Sequence, residues 1–139
     1  MKKLLSFFFF VSAFAVFATH AQAQALVIAN PSVKVSDASK GDLRDVFSGA
    51  SSSLGGSHVA PALLKGGPAN EAFLREIIGK SDAAFRASWR GLVFSGQGSM
   101  PKSVDSDAAM VDFVAHNPGA IGYIGKASPH DGVKVISVK

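Results

Sequence analysis

Short apolar segments alternate with amphipathic helical segments along the 139-residue sequence, and this alternation limits the fold more than any other feature. Brief runs rich in β-branched residues are typical of buried strands, whereas apolar residues at every third or fourth position indicate helices. A helix between two strands returns the chain to the end of the sheet where the first strand began, so the two strands run parallel. The sequence therefore predicts an α/β fold with a mainly parallel sheet flanked by helices. The predicted strands are residues 26–30, 58–64, 120–124 and 133–138.

Residues suited to helix ends define the predicted helices. Ser39 is a suitable N-cap for a first helix, which Gly49 ends. Further helices are predicted between Pro68 and Gly79, from Ser81 through Leu92, and within residues 105–119. Trp89 and Tyr123 are expected in the core, because both lie in register with other apolar residues. The stretches 51–57 and 94–104, rich in glycine and serine, are predicted to be loops.

The first 25 residues have the features of a secretory leader. Lys2 and Lys3 precede an apolar run from position 4 to position 18, and Ala-x-Ala sites end at Ala23 and Ala25. These features predict a signal peptide, residues 1–23, with cleavage after Ala23 or Ala25. Residues 24–139 are then expected to form a single domain that is not embedded in a membrane, and the location is expected to be periplasmic or secreted.

Composition argues against several classes of function. The net charge falls from +4 to +2 once Lys2 and Lys3 are removed with the leader, and the remaining charges are scattered, so no nucleic-acid partner is predicted. The chain contains no cysteine, and its histidines do not have metal-ligand spacing, so no metal site is predicted. No nucleophile has a base at hand and no complete cofactor fingerprint is present. We therefore expect a protein that is not an enzyme, with no catalytic residues and no cofactor.

The sequence Lys65-Gly66-Gly67-Pro68 joins a predicted strand to a predicted helix and has two interpretations. In the first, the glycines only permit a sharp turn, and Pro68 occupies the first helical position, where a missing N–H is harmless. In the second, the unpaired N–H groups at the helix N-terminus bind an anion, and a lysine adds a full charge. The residues predicted to form such a site are Lys65, Gly66, Gly67, Ala69 and Asn70.

Several motifs, in their order along the chain, resemble the second lobe of the phosphate-type periplasmic substrate-binding proteins. They are Asp42-Leu43-x-x-x-Phe47-x-Gly49, the glycine corner with the helix after it, Trp89, and Asn117-Pro118-Gly119-Ala120-Ile121-Gly122-Tyr123. The resemblance covers residues 26–138 and indicates a short, single-lobe member. It implies that the chain is one lobe of a type II periplasmic-binding-protein fold. In the complete fold the oxyanion lies between two lobes, at helix N-termini.

The chain departs from the family pattern at the corner itself. The family motif Arg-x-x-x-Ser-Gly-Thr, aligned by the phenylalanine at Phe73, falls on Leu63, Gly67, Pro68 and Ala69, so its arginine and both hydroxyl donors are missing. The sequence is therefore compatible with two functions. The first is weak binding of phosphate or a similar small oxyanion, linked to an ABC transporter or to sensing. The second is a single-lobe interaction module that has lost ligand binding and contacts a protein partner, such as a transporter or envelope protein, through the former cleft face.

Overall fold

A computed structural model describes residues 24–139. The predicted signal peptide lies outside the described residues. The elements are, in chain order, β1 (Ala25–Ala29), β2 (Asp37–Ala38), α1 (Lys40–Phe47), β3 (Ser53–Leu54), β4 (Ser57–His58), β5 (Ala60–Leu64), α2 (Pro68–Phe73), α3 (Asp82–Phe94), β6 (Lys102–Val104), α4 (Asp107–His116), β7 (Ala120–Gly125) and β8 (Lys134–Val138).

Six strands form the central sheet in the order β2-β8-β1-β7-β5-β6. Strands β6, β5 and β7 are parallel, as are β2 and β8, whereas β1 is antiparallel to both of its neighbours, β7 and β8. The predicted α/β fold with a mainly parallel sheet is therefore confirmed, with β1 as the strand that runs in the opposite direction. Strands β5, β6 and β7 begin at one end of the sheet, and the glycine corner follows the other end of β5.

Helices α2 and α4 cover opposite faces of the sheet. On β7, Gly122 approaches Met110 of α4, and a Cβ at Gly122 would lie within 2.4 Å of the Met110 sulfur. The next side chain, Tyr123, points to the other face and stacks on Phe73 of α2, with ring centroids 3.8 Å apart. Phe47 of α1 packs edge-on against Phe73 at 4.7 Å. Adjacent residues of one buried strand thus hold the two helical layers together.

The predicted helix ends are confirmed by hydrogen bonds. The Oγ of Ser39 accepts from the amide of Asp42 at 3.1 Å, and the Oγ of Ser81 accepts from the amide of Ala84 at 3.2 Å. Trp89 is buried, as predicted, and its indole N–H donates to the carbonyl of Phe47 at 2.9 Å. One difference concerns α2, which continues into a π-helical turn, Leu74–Ile78, before Gly79 ends it in the left-handed conformation.

Both predicted loops contain strands, so those two predictions are wrong in part. Residues 51–57 include β3, which pairs with β4 around Gly55 and Gly56, and both glycines have positive φ. A Gly-Gly pair is itself a signal for such a two-residue hairpin turn. Residues 94–104 include β6, which pairs with β5. The two-residue strand β2 was also not predicted.

Candidate functional site

The glycine corner connects the end of β5 to the start of α2 through Lys65, Gly66 and Gly67. Gly67 has a φ of 93°, which disfavours residues with a side chain, so the turn requires glycine there. A Cβ placed on Gly66 or on Gly67 would have no heavy atom within 4 Å beyond its chain neighbours. The glycines therefore leave the corner open to solvent and do not serve close packing.

The first amides of α2 lie at this corner and have no hydrogen-bond acceptor among residues 24–139. Pro68 has no N–H, and Gly67, the N-cap, has no side chain that could accept one. The first amide of this helix with an acceptor is that of Glu71, which donates to the carbonyl of Gly67 at 3.0 Å. Among residues 24–139, the backbone N–H groups of Ala69 and Asn70 have no hydrogen-bond partner. Such groups at a helix N-terminus carry partial positive charge.

Lys65 contributes a charge to the corner, but a carboxylate already pairs with it. Its Nζ lies 3.0 Å from Oδ1 of Asp105, and both side chains are largely exposed. The Lys65 amide also donates to the carbonyl of Val104 at 3.0 Å, which fixes the backbone beside the end of β6. An anion that approaches the ammonium group would therefore compete with Asp105, a residue that the sequence analysis did not identify.

The Asn70 side chain is buried behind the corner, and both of its polar atoms are hydrogen-bonded. Its Nδ2 donates to Oδ1 of Asp82 at 3.0 Å, and its Oδ1 accepts from the hydroxyl of Tyr123 at 2.6 Å. The Ala69 side chain is likewise almost fully buried, at 6% exposure. Of the five predicted site residues, Ala69 and Asn70 can therefore offer a ligand only their backbone N–H groups.

A closed ring of hydrogen bonds supports the corner from beneath. The Tyr123 hydroxyl accepts from the amide of Leu64 at 3.0 Å, and Nη2 of Arg86 donates to the Leu64 carbonyl at 2.8 Å. The Nε of Arg86 lies 3.1 Å and 3.0 Å from the two carboxylate oxygens of Asp82, and Asp82 accepts from Asn70. The last residue of β5 is thus held through both of its backbone polar groups. We name these residues the Leu64 ring: Leu64, Asn70, Asp82, Arg86 and Tyr123.

The pKa values of two members of the ring are shifted in opposite directions. Burial raises the pKa of Tyr123 to about 12, because the phenolate would lose its hydration. Burial also acts to raise the pKa of Asp82, but hydrogen bonds from Asn70 and Arg86, together with the positive charge of Arg86, lower it below its usual value. Tyr123 is therefore neutral and Asp82 ionised at neutral pH.

The described residues contain neither a metal-binding cluster nor a membrane-spanning helix. Over residues 24–139, no three His, Cys, Asp or Glu side chains are grouped closely enough to hold a metal ion. Over the same residues, no helix combines the length and apolarity needed to cross a membrane.

Comparison with known proteins identifies the fold. No protein-family model matches the sequence, and no curated protein is significantly similar to it. Solved structures do match: an ABC-type phosphate transport receptor from Vibrio cholerae has a TM-score of 0.62 at 16% identity, and PstS from Borrelia burgdorferi has 0.64 at 18%. A putative phosphate ABC transporter substrate-binding protein from Clostridium perfringens, solved with bound phosphate, has 0.63 at 20%. The fold is that of the phosphate-type substrate-binding proteins.

The likeness to these substrate-binding proteins is confined to part of their length. It covers 84% of this chain but only 46%, 47% and 45% of the Vibrio, Borrelia and Clostridium proteins. The chain thus spans less than half of the proteins it resembles, as one lobe of a two-lobe fold would. The resemblance predicted from the sequence is confirmed at the level of the fold.

At the three positions where the family motif has polar side chains, this chain has an apolar residue or a glycine. Leu63 is fully buried within β5, Gly67 has no side chain, and Ala69 is a nearly buried methyl group. A ligand at this corner would therefore meet backbone N–H groups and the Lys65 ammonium group.

Proposed function

We propose that the protein is an exported, non-enzymatic solute-binding lobe that binds phosphate or a similar small oxyanion weakly, in association with a transporter or a sensor. The observation that carries this proposal is the open corner at residues 65–70, where two unpaired amides and an ammonium group adjoin a space that no side chain fills. The fold supports it, since a neighbour with the same fold was solved with bound phosphate. The predicted leader supports a periplasmic location.

The proposed affinity is low for two physical reasons. A charged hydrogen bond contributes about 1.5–3 kcal/mol, and immobilising a ligand costs about 4 kcal/mol or more, so two or three such bonds leave a dissociation constant of about 1 mM or higher. The carboxylate of Asp105 further weakens the site, because it already neutralises Lys65 at 3.0 Å. A single lobe also buries less of a ligand than a cleft closed by two lobes does.

Phosphate titration followed by amide NMR tests this proposal. We expect saturable shifts of the Gly66, Gly67, Ala69 and Asn70 amides at constant ionic strength, with a midpoint of about 1 mM or higher. Lys65→Ala should weaken binding about fivefold or more, since it removes the only full positive charge proposed for the site. Asp105→Asn should strengthen binding, because it removes the competing carboxylate. Lys40→Ala, at an exposed lysine on α1, is the matched control and should change nothing.

A second candidate is the single-lobe interaction module that has lost ligand binding and contacts a protein partner. Two observations favour it: the corner has no hydroxyl donor and no arginine from the family motif, and Lys65 already has a protein carboxylate as its partner. The same titration separates the two functions. If phosphate and sulfate cause no saturable shift at the corner amides that chloride does not also cause, solute binding is excluded and this second candidate replaces it.

A further inference from the structure

We propose that a groove at the amino ends of β5, β6 and β7 binds an extended, acidic polypeptide segment that carries an apolar anchor residue. This groove lies at the opposite end of the sheet from the glycine corner, so the proposal does not depend on anion binding. It consists of two adjoining hollows that are both lined by Met100. One has a volume of about 440 Å³ and is lined by Arg90, Val93, Phe94 and Met100. The other, of about 370 Å³, has Pro61, Phe113 and Pro118 among its walls. We name the two hollows together the Phe94 groove.

The apolar walls of the Phe94 groove are unusually exposed. Phe94, at the end of α3, is 96% exposed, and Val93 and Met100 are 42% and 43% exposed. Only two other large apolar side chains among residues 24–139 are comparably exposed, and both lie on β8. A cluster of large apolar side chains in contact with water marks an interaction surface more often than an isolated exposed residue does.

The charge around the groove determines the chemistry of the partner. Arg90 and Lys102 border the two hollows, and no Asp or Glu lines either one. Within the described chain, neither of these two cations forms a hydrogen bond or an ion pair, whereas three other basic side chains are paired with carboxylates at 3.0–3.1 Å. A partner with acidic groups beside an apolar side chain would satisfy both cations and cover Phe94.

The adjoining sheet edge favours a polypeptide as the occupant. Strand β6, Lys102–Val104, is the last strand of the six-stranded sheet, and over residues 24–139 nothing pairs with its outer side. An extended segment can hydrogen-bond to such an edge while its side chains enter neighbouring pockets. A membrane surface could contact Phe94 but could not use this edge.

Charge argues against a second copy of this chain as the occupant. Pairing of two Phe94 grooves would bring Arg90 and Lys102 together with their own copies. The leader is excluded in the same way, since Lys2 and Lys3 precede its apolar run.

Selection from a random peptide library displayed on phage, with the purified exported protein as bait, tests the proposal. We expect enrichment of sequences in which Asp or Glu flanks a large apolar residue. The best synthetic peptide should bind about tenfold or more weakly to Phe94→Ala and to Arg90→Glu, and its binding should weaken as salt is raised. The matched controls are Val138→Ala for the exposed apolar residue and Lys40→Glu for the charge reversal. Both should change the affinity less than twofold.

Three results would overturn the proposal. The first is the enrichment of no acidic peptide, or of peptides whose binding survives both Phe94→Ala and Arg90→Glu while Trp89 fluorescence shows a native fold. The second is a dimer in sedimentation experiments that Phe94→Ala abolishes, which would identify a second copy as the occupant. The third is Phe94-dependent binding to phosphatidylglycerol vesicles, which would identify a membrane surface. Peptide binding that persists in Lys65→Ala would show that the groove acts independently of the corner.

Discussion

At the scale of single residues, the Tyr123 hydroxyl links the sheet to the candidate site. It accepts from the Leu64 amide and donates to the buried Asn70 oxygen, while its ring stacks on Phe73. The hydroxyl therefore satisfies a backbone donor and a side-chain acceptor that have no access to water. A buried polar group left without its partner costs about 1–3 kcal/mol.

Tyr123→Phe should lower the free energy of unfolding by about 2–4 kcal/mol. The ring and its packing remain, but both partners of the hydroxyl are left unsatisfied in the core. Urea unfolding followed by the fluorescence of Trp89, the only tryptophan, measures the change. Ser88→Ala is the control, because that hydroxyl is exposed and should contribute less than about 0.5 kcal/mol. Equal effects of the two substitutions would contradict a structural role for the Leu64 ring.

A pH titration of Tyr123 provides a second test of the burial of its hydroxyl. The sequence contains one tyrosine, so phenolate absorbance reports Tyr123 alone. We expect a midpoint near the raised pKa of about 12 in the folded protein and near 10.0 in urea. Because the folded state favours the neutral phenol, its contribution to stability is complete below about pH 10 and is lost as the pH rises toward 12. A midpoint near 10 with native Trp89 fluorescence would contradict the burial of this hydroxyl.

The candidate site was predictable from the sequence only where its residues are contiguous. Positions 65–70 follow one another, so local turn and helix chemistry placed them at one corner. Asp105 lies 40 positions after Lys65, and it reaches the lysine only because β6 pairs with β5. The burial of Asn70 depends on Tyr123 and Asp82, which come from other elements. Contacts set by tertiary packing leave no local signal of this kind.

At the scale of elements, the C-terminal ends of α1 and α3 form a matched pair. Each helix ends in a serine followed by a glycine with positive φ, Gly49 at 85° and Gly96 at 76°. The surroundings of these two glycines differ. A Cβ at Gly49 would lie 2.9 Å from the Trp89 ring and 2.8 Å from Leu92, whereas one at Gly96 would meet nothing within 4 Å. Only Gly49 is also needed for close packing between the helices.

Gly96→Ala should therefore destabilise the protein by about 1–2 kcal/mol, the cost of a left-handed alanine. Gly49→Ala has this cost and also forces Trp89 or Leu92 to move, so we expect a further loss of about 1–3 kcal/mol. Thermal unfolding of the two variants measures the difference. If both variants lose the same stability, the close contact between the α1 terminus and Trp89 does not constrain the fold.

Element prediction succeeded where the segments are long enough to show a period. Strands β1, β5, β7 and β8 have five or six residues, and the helices carry caps and apolar faces. Strands β2, β3, β4 and β6 have two or three residues, which is too short for an alternating pattern. These short strands form because neighbouring strands are already in place. Their pairing therefore belongs to the assembled sheet, and the local sequence does not predict it.

At the scale of the whole molecule, two candidate surfaces lie at opposite ends of one sheet. The open corner follows the carboxyl end of β5, and the Phe94 groove lies at the amino ends of β5, β6 and β7. Helix α3 connects the two ends, because Arg86 supports Leu64 near one end and Phe94 lies at the other. If both proposals hold, a solute and a protein partner would bind at opposite ends of the sheet without competing with each other.

The contacts of the first strand favour one of the two predicted cleavage positions. The Gln24 carbonyl accepts from the Lys126 amide at 2.9 Å, its side-chain oxygen accepts from Lys126 Nζ at 3.1 Å, and Ala25 pairs with Gly125 in the β1–β7 ladder. Cleavage after Ala23 keeps these contacts, whereas cleavage after Ala25 removes them. We therefore predict that the exported protein begins at Gln24, which mass spectrometry of the periplasmic fraction can measure.

A protein made to begin at Leu26 should be less stable by about 1–2 kcal/mol, since it lacks two or three partly exposed hydrogen bonds of about 0.5–1 kcal/mol each. Lys139→Ala at the other terminus is the control, and its loss should be smaller because it keeps the backbone hydrogen bond to Ala38 and removes only a solvent-exposed ion pair with Asp37. Recovery of a mature protein that begins at Leu26, with unchanged stability, would show that the end of β1 does not contribute to the fold.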